Sequence, residues 1–85
     1  MDGFKGAIFE ERKGSETSLN YETSRPVHGI CVYNFSRLYS LWFTINDIVY
    51  PLEPGQGFKD AFSIPFSIVP VDNPHGCEFL IAGLV

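Results

Sequence analysis

From residue 28 onward, apolar and polar positions alternate with a period of two, the pattern of half-buried β-strands. The segment HGICVYNF, residues 28–35, shows this alternation. In LWFTIN, residues 41–46, the side chains of Leu41, Phe43 and Ile45 share one face of a strand. Neither segment fits the helical period of 3.6 residues, so both are predicted to be strands.

A short loop follows the second of these segments. Asn46 and Asp47 both tolerate a positive φ, so they suit a two-residue hairpin loop that joins SLWFTIN to IVYPLEP as an antiparallel pair. Pro51 cannot donate a ladder hydrogen bond, so its strand is predicted to be an edge strand or to direct its free side outward there.

The C-terminal third also reads as strands. FSIPFSIVPV, residues 62–71, contains Pro65 and Pro70, which exclude a helix and favour a kinked or edge strand. DNPHG supplies a turn, and CEFLIAGLV is predicted to be a strand buried on both faces or covered by a neighbour. The fold class is therefore all-β: a small antiparallel β-sandwich or barrel of about five to seven short strands.

The N-terminal part has a different composition. Residues 1–26 hold nine of the sixteen charged residues, which divides the chain into a polar arm, 1–26, and a β-sandwich domain, 27–85. Gly14 interrupts any helix in the arm. We predict a short strand around Phe4 to Arg12, then a loop with a hinge at Ser24 to Pro26. Such an arm is either a solvated tail or a segment that docks on a neighbouring subunit.

Composition narrows the class of partner. A chain of 85 residues forms one domain, and at this size it buries only roughly 60–65% of its extended surface. With 45% hydrophobic and 15% aromatic residues, it is expected to fold and to keep apolar surface for a partner chain. The net charge of −4 argues against nucleic acid as a partner.

The chain has no long apolar run and a charged start, so we expect neither membrane insertion nor a secretory signal. We therefore expect the chain to be made and used in the cytoplasm.

PGQGFKD, residues 54–60, combines two glycines with a lysine and could be taken for a phosphate loop. However, Phe58 separates Gly57 from Lys59, no hydroxyl follows the lysine, and no helix follows the loop, as a P-loop would require. Pro54 and Gly55 instead form a strong type II turn pair. The segment is interpreted as a turn.

The histidines and cysteines are the other candidates for chemistry. Each of His28 and His75 lies within three residues of a cysteine, Cys31 or Cys77, so a mixed zinc site is one interpretation. The spacing of His28 and Cys31 places them on opposite faces of a strand, which favours turn histidines and free, partly buried thiols. Cysteines in apolar strands are poor nucleophiles. We therefore predict no catalytic residue, no metal site, no cofactor and no enzymatic activity.

The aromatic side chains are the strongest remaining signal. Trp42 is expected to point outward beside Thr44, where it would suit a sugar ring or a partner protein. The alternative is that this second face is covered by another sheet or by a subunit. The residues we expect to contact a partner or a glycan are Trp42, Tyr39, Tyr50 and Phe58.

The order of these segments resembles small β-sandwich domains of tailed-bacteriophage virion proteins. The positions that carry the resemblance are Asn34, Ser36, Asn46, Asp47, Tyr50, Leu52, Pro54 and Gly55, within residues 28–85. The resemblance implies a non-enzymatic structural protein of the particle that packs against its own copies, as a trimer or another multicopy assembly, and against other virion proteins. It would act as a head decoration, head fibre or tail component, assembled in the host cytoplasm. The alternative function is a module that binds a carbohydrate or receptor through an exposed aromatic face.

Overall fold

A computed structural model describes residues 6–85 as six antiparallel β-strands in one sheet. The strands are β1 (Ile8–Gly14), β2 (Ser18–Asn34), β3 (Leu41–Ile45), β4 (Ile48–Leu52), β5 (Gly57–Asp72) and β6 (Phe79–Leu84). Their order across the sheet is β1-β6-β2-β5-β3-β4. The prediction of an all-β fold with five to seven antiparallel strands is confirmed, although β2 and β5 are much longer than expected.

The two long strands bend the sheet back on itself. A straight strand with the 17 residues of β2 would span about 56 Å, whereas the longest dimension of the molecule is 39 Å. The pairing of β2 with β5 shifts register between Glu22 and Gly29, where the bend lies. The same two strands therefore contribute to both halves of the sheet.

We call these halves layer 1 and layer 2. Layer 1 contains β1, β6 and the paired segments 29–33 of β2 and 57–61 of β5. Layer 2 contains β4, β3 and the paired segments 18–22 of β2 and 68–72 of β5. The rings of Phe43 in layer 2 and Phe58 in layer 1 lie 5.1 Å apart, so the layers pack face to face around one core.

That core holds large apolar side chains from every strand except β1. The total accessible surface is 5052 Å², close to the roughly 5,000 Å² expected of a compact monomer of this mass. The largest buried apolar side chains are Phe43, Phe79, Ile30, Leu41, Ile45, Leu52, Ile81 and Leu84. As predicted, Leu41, Phe43 and Ile45 all point into the core.

The turns agree with the turn chemistry of the sequence. Asn46 and Asp47 have φ values of 49° and 68°, as a type I′ hairpin loop between β3 and β4 requires. Gly55 has a φ of 71°, and the N–H of Gln56 donates to the C=O of Glu53 at 3.0 Å, as in a type II turn. The hairpin and the Pro54-Gly55 corner are confirmed.

Both outer edges of the sheet are irregular. Hydrogen-bonded and non-hydrogen-bonded pairs alternate along the β3–β4 hairpin, and Pro51 and Trp42 form a non-hydrogen-bonded pair. The backbone nitrogen of Pro51 therefore points away from β3. The free edge of β4 therefore lacks one of its hydrogen-bond donors, as predicted for an edge strand. At the other edge, β1 has a bulge between Phe9 and Arg12, with Glu10 at a φ of 55°.

Three expectations need correction. The loop predicted after Arg12 is wrong, because β2 begins at Ser18 and runs without interruption to Asn34. The predicted hinge at Ser24 to Pro26 is a bend within this strand and not a boundary between an arm and a domain. β1 likewise pairs with β6 of the same chain, so this part of the arm docks on its own sheet. Residues 1–5, including the predicted strand start at Phe4, lie outside the described residues.

The strand with Pro65 and Pro70 is kinked, as one alternative held, and its residues 62–70 have β2 on one side only, because β3 pairs with no residue of β5 before Val71. β5 lies between β2 and β3. Its ladder with β3 stops at Val71, next to Pro70, which has no N–H to continue it. β6 is almost fully buried between β1 and β2, as expected.

Candidate functional site

The four predicted contact residues do not come together. Tyr50 and Phe58 are half-buried in an aromatic cluster between the layers, with ring centroids 5.3 Å apart. Each also packs on Phe43, at 5.4 Å and 5.1 Å respectively. Tyr39 is exposed in the loop before β3, and Trp42 is half-buried on the face of β3 opposite to Phe43, so these two rings lie in different places.

Trp42 lines a groove on the outer face of layer 2. The groove has a volume of about 650 Å³, within the usual range of small-ligand sites. The strand register determines what surrounds the indole, since Trp42 pairs with Asp72 on one side and with Pro51 on the other. Ser18 of β2 pairs in turn with Asp72.

Ser18, Asp72 and Trp42 form one row of side chains across three strands. A second row runs beside it. Asn20 pairs with Pro70, and Thr44 pairs with Val49. Because alternate residues of a strand share a face, both rows line the same outer surface. The groove is thus a flat platform with one aromatic ring and a set of hydroxyl, amide and carboxylate groups, and its lining contains no lysine, arginine or histidine.

Tyr39 belongs to the loop between β2 and β3. Its ring stacks on His75 with centroids 4.1 Å apart. Together with Tyr33, Phe35 and Leu38 it forms a set of exposed apolar side chains that we call the β2–β3 patch. Leu38 is 77% exposed and Phe35 48% exposed, and the ring of Phe35 lies 4.7 Å from that of Tyr33.

This loop is fixed by a buried asparagine. The amide of Asn34 donates to the carbonyl oxygens of Tyr39 and Leu52 at 2.9 and 3.1 Å, and its oxygen accepts from the N–H of Ser36 at 2.9 Å. The Ser36 hydroxyl oxygen then accepts from the N–H groups of Leu38 and Tyr39. The backbone that carries Phe35, Leu38 and Tyr39 is therefore fixed by these hydrogen bonds.

A second buried asparagine organises the turn after β5. Asn73 donates from its amide to the C=O groups of Cys77 and Glu16 at 2.8 and 3.2 Å, and accepts from the N–H of Cys77 at 2.9 Å. It ties this turn to the loop between β1 and β2. Sequence reasoning missed both asparagines as buried residues, although Asn-x-Ser and Asn-Pro are recognisable turn signals.

Tyr21 is the third residue that sequence reasoning missed. It is 3% exposed, and its hydroxyl donates to the C=O of Glu10 at 2.7 Å and accepts from the N–H of Gly83 at 2.8 Å. Burial raises the pKa of the Tyr21 hydroxyl, and the nearby Glu10 acts in the same direction. Tyr21 thus joins layer 2 to the bulged edge of layer 1.

Two exposed carboxylates near this edge are well ordered by hydrogen bonds. The hydroxyl and N–H of Ser24 donate to the Glu10 carboxylate and lower its pKa, with a smaller contribution from Arg25. Glu16 likewise has a lowered pKa because backbone N–H groups and Arg12 donate to it. Both contacts hold β1 in place.

The histidines and cysteines do not gather at one place, although Sγ of Cys77 lies 3.5 Å from the C=O of Tyr39, the residue on whose ring His75 stacks. Nδ1 of His28 lies 3.1 Å from the C=O of Phe62, and His75 lies against Tyr39. Cys31 and Cys77 are both free thiols, the first half-buried and the second buried, as predicted. In the part of the chain that the structure describes, no three His, Cys, Asp or Glu side chains meet where they could hold a metal ion.

The PGQGFKD segment forms the Pro54-Gly55 turn and the start of β5, and Lys59 is exposed on that strand opposite Cys31. Among residues 6–85 there is no helix long and apolar enough to cross a membrane. Comparison with family models, with curated proteins and with solved structures finds no match to this chain.

Proposed function

We propose that this chain is a non-enzymatic assembly protein that packs in several copies, as a trimer or another closed oligomer, within a tailed-bacteriophage particle. The observation that carries the proposal is the β2–β3 patch. Its four large apolar side chains are exposed within one short segment, and the rings of Tyr33 and Phe35 are in contact; exposed apolar surface of this kind favours a protein interface.

The patch does not result from loose folding. The accessible surface of the whole chain is that of a compact monomer, and the core already has buried side chains from both layers. Leu38 and Phe35 are exposed because the loop that Asn34 fixes directs them outward. A rigid loop loses little conformational entropy when it binds, which favours association.

The setting in a virion rests on the sequence resemblance. The positions that carry it form turns of this fold, namely Asn34 and Ser36 within the β2–β3 loop, Asn46 and Asp47 in the β3–β4 hairpin, and Pro54 and Gly55 before β5. In this proposal the chain contacts its own copies and other virion proteins as a head decoration, head fibre or tail component. It assembles in the host cytoplasm and performs no reaction.

The test is the oligomeric state, measured by native mass spectrometry and light scattering. We expect the wild-type chain to form a discrete oligomer, and we expect the double substitution Phe35→Ser and Leu38→Ser to yield a folded monomer. Ile64→Ser is the matched control, because Ile64 is 64% exposed on β5, outside the patch. It should leave the oligomer intact.

A second measurement tests the setting in the particle. The chain should cosediment with purified particles of the phage that encodes it, and the double variant should not. A wild-type chain that stays monomeric at high concentration and is absent from purified particles would refute the proposal.

A further inference from the structure

We infer that the groove around Trp42 is a carbohydrate-binding site that takes one or two neutral sugar rings. This inference is independent of the proposed assembly role, since the groove lies on the outer face of layer 2 and the β2–β3 patch does not line it. It gives the glycan-binding alternative a defined place and a defined set of contacts.

The first argument is the chemistry of the platform. A pyranose has an apolar face of C–H groups and a rim of hydroxyls, so it needs an aromatic ring flanked by hydrogen-bonding groups that both donate and accept. Trp42 supplies the ring, and its pairing partner Asp72 supplies a carboxylate beside it. Ser18, adjacent to Asp72, and Asn20 in the next row supply a hydroxyl and an amide.

The second argument is that these polar groups are not used by the fold. The side-chain hydrogen bonds that secure the loops and layers involve Asn34, Asn73 and Tyr21. The side chains of Ser18, Asn20 and Asp72 are exposed. Their polar atoms are therefore free to exchange water for sugar hydroxyls.

The third argument concerns the ligands that the groove disfavours. Its lining has one carboxylate and no cationic side chain, so a phosphate or another anion would be repelled by Asp72 and would find no positive charge to pair with. A hydrophobic peptide side chain binds best in a deep apolar hole, whereas this groove is broad, open and lined in part by the rigid rings of Pro70 and Pro74. A flat ring with polar edges fits it best.

The fluorescence of Trp42 can be used to measure binding in this groove. Trp42 is the only tryptophan in the sequence, so its fluorescence reports on the groove alone. We would screen the purified full chain on a printed glycan array, and then titrate each bound oligosaccharide in solution while recording tryptophan emission. A saturable change in emission is expected.

Two substitutions assign the contacts. Asp72→Ala should weaken binding about tenfold or more, because it removes charge-assisted hydrogen bonds to sugar hydroxyls. Trp42→Ala should abolish binding on the array, with folding checked by circular dichroism. Since Asp72 is exposed, its variant should fold even if the tryptophan variant does not. Leu38→Ser, in the β2–β3 patch, is the control that should bind normally.

Three results would overturn the inference. The first is that no glycan on the array is retained. The second is that binding is unchanged in both variants, which would locate it elsewhere on the chain. The third is that Asp72→Ala or a folded Trp42→Ala variant disrupts the oligomer and no glycan binds, which would make the groove a contact between copies.

Discussion

The hydroxyl of Tyr21 is expected to contribute more to stability than any other tyrosine hydroxyl of the chain. It occupies the place where the bulge in β1 interrupts the ladder with β6, and it accepts the hydrogen bond from Gly83 that a regular strand would accept. Tyr21→Phe removes this oxygen and leaves the ring in the core.

The magnitude follows from the partners of the hydroxyl, which shares its proton between the C=O groups of Phe9 and Glu10 and accepts from the N–H of Gly83. Gly83 is buried, so its N–H is left without an acceptor in the variant, which costs about 1–3 kcal/mol. Glu10 is exposed, and its C=O can accept from water instead, so the second lost bond adds little. We therefore expect a free energy of unfolding lower by about 1–3 kcal/mol, and a melting temperature lower by at least about 4 °C for a domain of this size.

Urea unfolding followed by the emission of Trp42 measures this change at pH 7. Tyr33→Phe is the control, because the Tyr33 hydroxyl is exposed at the surface and makes no hydrogen bond within residues 6–85; it should change stability by less than about 0.5 kcal/mol. If the two variants were equally stable, the bridging role of the Tyr21 hydroxyl would be wrong.

The pH dependence gives an independent check. Burial raises the pKa of Tyr21 above its ordinary value of about 10, so the neutral hydroxyl is favoured in the folded state. The associated stability is fully present below pH 10 and is lost as the pH rises, because the unfolded chain then ionises first. The difference in stability between wild type and Tyr21→Phe should therefore shrink above pH 10. A constant difference up to pH 11 would contradict the assignment.

Three further predictions test the turns and the edge. Asn73→Ala should lower the unfolding free energy by about 2–3 kcal/mol in urea titrations, because it leaves the N–H of Cys77 buried without an acceptor; an unchanged midpoint would argue against this role. Asp47→Val should cost about 1–2 kcal/mol because its φ is 68°, whereas Asp47→Gly should not destabilise the hairpin, and equal melting temperatures for the two variants would contradict the type I′ turn. Ser24→Ala should raise the pKa of Glu10 in an NMR titration, since the Ser24 hydrogen bonds lower it. The stability that depends on this contact should be present above the ordinary glutamate pKa and should be lost as the pH falls below it.

Strands in which large apolar residues fill every second position could be predicted from the sequence. Strands with few such residues could not. In β3 every inward position is a large apolar residue, so the period of two is plain. In the first half of β2 only Leu19 and Tyr21 mark the inward face among exposed polar residues. Two apolar positions are too few to separate a strand from a loop by periodicity, and so this half of β2 was expected to be a loop.

The candidate site was only partly predictable for a related reason. Period two places Trp42 on the outer face of its strand, but its neighbours Ser18 of β2 and Asp72 of β5 are 24 and 30 residues away in the sequence. The order of the strands in the sheet determines these neighbours, and no local sequence pattern predicts that order. Phe58 was predicted to contact a partner, but its ring packs on Phe43 between the layers. Only the packing of layer 1 on layer 2 directs this ring inward.

The irregular edges of the sheet bear on how such a protein behaves at high copy number. An exposed, regular edge strand recruits further strands and leads to fibrils. Here Pro51 deprives the outer edge of β4 of a donor and the bulge at Glu10 distorts the outer edge of β1, so neither of these two edges offers a flat template. Copies that meet in a crowded cell are then hindered from pairing through β1 or β4, which favours contacts between side-chain surfaces that can close into a finite assembly.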